Sequence, residues 1–334
     1  MRIDWMHIPD GLMAPLVAAI GWAEFVAVMA AALWITGRKD REKDLPRIAV
    51  LSAGIFVAQM INFPIGGGTT GHLIGGALFA ILAGPSVAIV GMTIVILIQA
   101  LMFGDGGVSA LGLNALNMAI IAPLTGWGTY TLLKSIMSIE ATRQSSRVLV
   151  AVSLAAWASV FVAAAACAAE LAVSYAVSSG AYGIAPTVSI PAMLGYHAVI
   201  GVGEGIITAG VLAYVWRVSP GMFKSHEPAQ VRATGIVRVL SAKTVRASLA
   251  IVLVFALALP LYFLYASDGE DGLEKTMTEA GAAEGNPAAA APFSYGQTYF
   301  GALFAGLLGF LSVSLVAIGL LRVLKGPRSE ERIE

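Results

Sequence analysis

Long apolar runs dominate this chain, and its polar residues gather in the short stretches between them. Runs long enough to cross about 30 Å of hydrocarbon, or nearly so, lie near 13–36, 48–61, 71–84, 86–103, 108–134, 147–178, 193–216, 246–266 and 298–323. Each predicts a helix, because lipid offers no partner to an unpaired backbone group. The second and third runs are short, and their junction, "NFPIGGGTTGH", is rich in glycine. That junction predicts broken or re-entrant elements packed inside the bundle. The pattern as a whole predicts an all-α polytopic membrane protein of about nine spans.

Charge then sets the orientation. If the spans alternate, eighteen of the 20 Lys and Arg residues fall on one side, and only Arg2 and Lys275 fall on the other. The positive-inside rule puts the amino terminus outside and the carboxyl terminus in the cytoplasm. With 58% hydrophobic and 12% charged residues and a mean hydropathy of +0.82, the chain cannot be a soluble domain. A secretory signal is excluded as well, since only Arg2 precedes the first run and that run is too long. Cys167 is the single cysteine, which excludes disulfide scaffolds and cysteine-ligated zinc and leaves it a small packing residue. "GGGTTGH" lacks the lysine of a phosphate-binding loop, so the chain has no ATP site of that kind. No serine elbow or HExxH pattern supports a hydrolase, and no partner nucleic acid is expected.

In this orientation the outer side receives "MHIPDGLM", "NFPIGGGTTGH", "FGDGG" and the loop near 179–192. A polar residue at membrane depth is costly unless paired, hydrated or bound, so each is a site hypothesis. His7 and His72 each suit a structural hydrogen bond when taken alone, His72 at the start of a helix; together they suit a metal ion. His197 is either a ligand, a partner behind the ligands, or a packed histidine. Glu204 follows it on the same helical face, two turns away and too far for contact. Glu170 and Glu204 are expected to be structural, neutral or hydrogen-bonded within their spans. Asn62, Asn114 and Asn117 are expected to tie broken helix ends together, and His226 to be solvated in a basic loop.

"MHIPDG" has its own chemistry. In a chain begun at Met6, the amine, the Met6–His7 amide nitrogen and the His7 imidazole close small, unstrained chelate rings on one ion. A deprotonated amide favours the square-planar or tetragonal nitrogen geometry of nickel(II) or copper(II), with cobalt(II) also fitting. Pro9 stiffens the chain after the chelate, Asp10 accepts hydrogen bonds that hold the turn, and Gly11 lets the backbone fold down into the bundle.

These stretches, with "FPIGGGTTGHLIGGAL", "QALMFGDGGVSALGLNALNMAIIAP" and "HAVIGVGEGIITA", resemble the CbiM/NikM family, the substrate-binding membrane components of cobalt and nickel energy-coupling-factor transporters. The similarity covers residues 6 to about 217. It implies a seven-helix core plus, here, two further helices, with Met6, His7 and His72 as metal ligands. Asp10, Asn62 and His197 are expected behind them. Residues 1–5 precede the expected functional start at Met6, because an amide nitrogen within a longer chain is no amine.

Residues 218–245 read as a basic cytoplasmic linker, 246–325 as a two-span module and 326–334 as a cytoplasmic tail. "ASDGEDGLEK" is similar to the PDGLE motif of small NikN-like subunits, with Glu270 in place of the proline. An acidic loop, disordered after about Lys275, fits the stretch that follows. The resemblance implies a bacterial inner-membrane, multi-pass component that captures nickel or cobalt as substrate and has no permanent cofactor. Its implied partners are a coupling protein of the CbiQ/NikQ kind and an ATPase of the CbiO/NikO kind. An ion-coupled secondary transporter or channel, with Glu170 and Glu204 as relays, is the competing expectation.

Overall fold

The computed structural model describes residues 7–37, 45–66, 69–139, 145–218, 242–265, 269–282, 285–296 and 298–323. Met6, the five residues before it, His226 and the tail from 324 lie outside the described residues, as does most of the basic linker.

The described chain is helical apart from one small hairpin. Its elements are α1 (Pro15–Gly37), α2 (Leu45–Gln59), β1 (Asn62–Gly66), β2 (Thr69–His72), α3 (Gly76–Ala83), α4 (Pro85–Ile98), α5 (Leu111–Ala115), α6 (Ala122–Ile136), α7 (Ser146–Val177), α8 (Pro186–Val218), α9 (Ala242–Tyr265), α10 (Gly272–Ala280) and α11 (Tyr299–Val323). Six stretches among the described residues are long and apolar enough to cross a membrane: α1, α4 with the turn after it, α7, α8, α9 and α11.

The other three expected spans take different forms. With its 15 residues, α2 reaches only about 22 Å at 1.5 Å per residue. The expected third span is β2 followed by the eight-residue α3. The expected fifth is α5 and α6, joined through a π-helical stretch at Leu116–Ile121. The glycine-rich junction folds as an antiparallel hairpin with Asn62 opposite His72. His72 therefore ends a strand, whereas the sequence pattern had placed it at a helix start. A hairpin inside the bundle pairs its own backbone, so it meets the requirement that makes helices the default there.

Helix α4 is the axis of the molecule, with every residue from Ser86 to Ile96 buried. A helix that is apolar all round needs neighbours on every side, and α1, α2, α3 and α11 all pack on it. The outermost helices do the reverse. Leu249, Leu253, Leu257, Leu261 and Leu264 on α9 are exposed, as are Phe300, Phe304, Leu311 and Leu315 on α11. Water would penalise such a face, whereas lipid does not.

The C-terminal helices join the bundle's core rather than standing apart from it. Phe255 and Leu259 of α9 and Phe310 and Val313 of α11 share one cluster with Phe56 of α2 and Ile94 of α4. A second cluster joins Ile8, Leu12 and Met13 of the amino-terminal head to Cys167 and Leu171 of α7, Met193 of α8, and Leu273 and Met277 of α10. The stretch expected to be disordered after Lys275 is instead ordered through Ala280. A capping box explains this: Asp271 Oδ1 accepts from the amides of Leu273 and Glu274, and Glu274 Oε2 accepts from the Asp271 amide.

Candidate metal centre

The amino-terminal head enters the bundle as an extended plug. His7, Ile8, Pro9 and Asp10 are all buried. Asn114 of α5 reads both faces of the Ile8 peptide: its Oδ1 accepts from the Ile8 amide at 2.9 Å, and its Nδ2 donates to the Ile8 carbonyl at 3.0 Å. The Gly107 amide donates to the same carbonyl at 2.9 Å. Gly107 must be glycine, because a Cβ there would run into the Asp10 amide and the Pro9 carbonyl carbon. Asn114, expected to join broken helix ends, thus anchors the head instead, an arrangement only the folded chain brings about.

Asp10 closes the head on its other side. Its Oδ1 accepts from the Ser109 amide at 2.7 Å and the Ser109 hydroxyl at 2.5 Å, and its Oδ2 accepts from the Ala288 amide at 2.8 Å. Burial pushes its carboxyl up, but these bonds outweigh it and hold the group below the ordinary carboxylate value. Asp10 was expected to hold its own turn; it accepts hydrogen bonds, but from Ser109 and from Ala288 of the C-terminal segment, and so ties the head to two distant stretches.

A cavity of about 60 Å³ lies beneath the head. His7, His72 and His197 all line it, with Asn114, Asn117, Met118, Cys167, Met193 and Asp271. That volume holds only a few water-sized groups. The His7 and His72 rings meet edge to face with centroids 5.9 Å apart. His7 is 3% exposed, and its Nδ1 bonds Asp105 Oδ1 at 2.9 Å. With that proton committed to a carboxylate, Nε2 is left buried and without a hydrogen-bond partner among the described residues. His72 Nδ1 donates to the Leu73 carbonyl at 3.1 Å, and His197 Nδ1 donates to the Met193 carbonyl at 2.8 Å. A carbonyl only accepts, so both rings carry their proton on Nδ1 and keep the Nε2 lone pair for a ligand.

The segment after His72 is pinned from two sides. Glu204 of α8 accepts from the amides of Ile74 and Gly75 at 2.8 Å each, and Gln59 of α2 donates to the Ile74 carbonyl at 2.7 Å. Glu170 accepts from Asn117 at 2.7 Å. Asn62 is buried opposite His72, with its Oδ1 unpartnered among the described residues.

Three contributors escaped sequence reasoning. Asp105 of "FGDGG" orients His7, and Tyr295 donates to its other oxygen at 2.9 Å. Asp271 lines the cavity, where burial pushes its carboxyl up to about 7 against the lowering pull of the Glu274 amide. Its glycine-flanked acid signature was visible, but nothing in the sequence tied it to a site more than 260 residues upstream. As placed, no three His, Cys, Asp or Glu side chains among the described residues converge tightly enough to hold an ion; the donors line the cavity.

Comparison with known proteins gives this geometry a context. Residues 7–222 match the family model described as the cobalt uptake substrate-specific transmembrane region, CbiM. A Haloquadratum walsbyi relative named for metal transport is 41% identical over 217 residues, 65% of this chain and 93% of its own length. The fused nickel transport protein NikMN of Rhodobacter capsulatus is 37% identical over 227 residues, 64% of this chain and 63% of its own. A crystal structure of a transition metal transporter matches at 36% identity with a TM-score of 0.57, covering 64% of this chain and 93% of that one. The chain thus belongs to the CbiM family of cobalt and nickel transport proteins, as a multi-pass membrane component of metal uptake and not an enzyme.

Proposed function

We propose that this protein is the substrate-capture component of an ATP-driven energy-coupling-factor transporter in the bacterial inner membrane, taking nickel(II) or cobalt(II) from outside. The observation that carries the reading is that His7, His72 and His197 line one small cavity together.

In the loaded state the ligands are the Met6 amine, the Met6–His7 amide nitrogen, the His7 imidazole and His72. The small chelate ring uses His7 Nδ1, which Asp105 holds here, so loading exchanges Asp105 for the ion at that nitrogen. His197, Asn62 and Asp10 support the ligands from behind. The C-terminal module acts as a fused NikN-like part. A CbiQ/NikQ-like coupling protein and a CbiO/NikO-like ATPase supply the energy, docking on the basic cytoplasmic side.

Equilibrium dialysis of the purified protein against each ion tests the site. His7→Ala and His72→Ala should each abolish tight binding, because no water replaces a chelating nitrogen in the same geometry. If His72→Ala binds like the parent, the four-nitrogen site is wrong and His197 takes its place. A chain begun at Met6 should bind at least as tightly as any other. A Met6→Leu chain shown by intact mass to keep residues 1–5 should bind orders of magnitude more weakly.

A further inference from the structure

We infer that Asp271, carried by the C-terminal module, contacts the transported ion and adds a carboxylate oxygen to the nitrogen donors around the cavity. The inference rests on the cavity being the ion's site, as proposed above. Asp271 is 3% exposed and, among the described residues, is the one carboxylate lining the cavity. Its cap bonds fix its position through one oxygen only: Oδ1 accepts from the amides of Leu273 and Glu274 at 2.8 Å each, and Oδ2 makes no hydrogen bond among the described residues. His72 and His197 line the same cavity, each bonded through Nδ1 to a backbone carbonyl so that its Nε2 lone pair is kept for a ligand. A carboxylate and imidazole nitrogens that line one cavity this small are the two kinds of group a divalent cation completes.

Charge points the same way. A divalent ion held by neutral imidazoles in a buried cavity needs negative charge nearby, or its lost hydration is not recovered. Asp105 is not among the residues that line the cavity, and Tyr295 holds one of its oxygens. The N-terminus of α10 would by itself repel a cation, and the Asp271 carboxylate sits on that end and offsets it. The approach is held by backbone bonds from β2: the Thr70 amide donates to the Glu270 carbonyl at 2.8 Å, and the Thr70 hydroxyl to the Gly269 carbonyl at 3.1 Å. It is close enough to need glycine next in sequence, since a Cβ on Gly272 would stand 2.7 Å from His197 Cε1. An oxygen beside a plane of nitrogens makes the site tetragonal, a geometry open to both nickel(II) and cobalt(II).

The test uses the full-length protein and nickel(II) alone, with Asp271→Asn and Glu274→Ala compared by equilibrium dialysis. Asparagine caps a helix as well as aspartate does, so Asp271→Asn keeps α10 in place and removes only the charge and one acceptor. Glu274→Ala breaks the other half of the capping box and leaves the cavity wall intact. Asp271→Asn should bind at least ten-fold more weakly, with Glu274→Ala close to the parent. Parent-like binding by Asp271→Asn overturns the inference, and so does equal weakening of both variants, which would mark a loss of helix placement. The infrared difference between nickel-bound and metal-free protein gives a second reading: part of the carboxylate shift seen in the parent should vanish in Asp271→Asn, and a carboxylate difference that this variant leaves unchanged overturns the inference. A parent that takes up no nickel defeats the site reading itself, and this is seen before any variant is compared.

Discussion

Both oxygens of Glu204 are used on backbone, accepting from Ile74 and Gly75 at 2.8 Å each, two residues beyond His72. The side chain is fully buried and touches no ligand; it fixes where His72 stands. Glu204→Gln puts an amide NH₂ against one of those backbone N–H groups, so one bond is lost and two donors face each other. The expected cost is about 1–3 kcal/mol, read as a lower thermal midpoint in detergent, with a weaker nickel affinity because the His72 segment loses its clamp. That Glu204 is structural was legible from sequence, since a carboxylate inside a span must be paired or neutral. Its partners were not, because they lie about 130 residues upstream and only the fold brings them near. The pairing of His7 with His72 was legible for a different reason: both sit in polar, glycine-rich stretches on the same side. Asp105 looked like part of a turn until Tyr295 and His7 were found on its two oxygens.

The head is an element without secondary structure, and its backbone groups must be satisfied from outside. Asn114 does this for both polar atoms of Ile8. Asn114→Ala leaves the Ile8 amide unpaired at about 1–3 kcal/mol, although Gly107 still serves the carbonyl. The expected result is faster hydrogen exchange at Ile8 and a nickel affinity about ten-fold lower, with every proposed ligand still present. Unchanged exchange at Ile8 would show that the plug is held by its apolar packing alone. The long helices were plain in the sequence because apolar runs of that length have few other outcomes. The β1–β2 hairpin was not, because glycine and threonine at a junction fit a broken helix and a tight hairpin equally well by composition. Helix α10 was hidden for a related reason: its nine residues are mostly polar, and the one-turn spacing of Leu273 and Met277, which pack against the head, is too short a pattern to stand out in a loop.

At the scale of the whole molecule, the sites of contact are unevenly shared. The cavity, the head and the segment of the C-terminal module that covers it lie at one end of the bundle, where Asp10 meets Ala288 and Asp105 meets Tyr295. The eighteen basic residues are assigned by the positive-inside rule to the opposite end. Under the proposed function the first end holds the ion and the second docks the partners, and "GGGTTGH" offers no phosphate-binding loop in their place. Cells making this protein alone should therefore accumulate little nickel, and adding the coupling protein and the ATPase should raise uptake strongly. Under the same proposal Glu170→Gln should change that uptake little, because Glu170 then serves as a structural partner of Asn117. The competing secondary transporter predicts the reverse on both counts: uptake that is equal with and without the ATPase, and lost in Glu170→Gln. Radioactive nickel uptake in cells lacking their own nickel importers, with an ATPase variant that binds but does not hydrolyse ATP as the control, separates the two. Uptake that survives that control would leave the metal site standing and remove the ATP-driven part of the proposal.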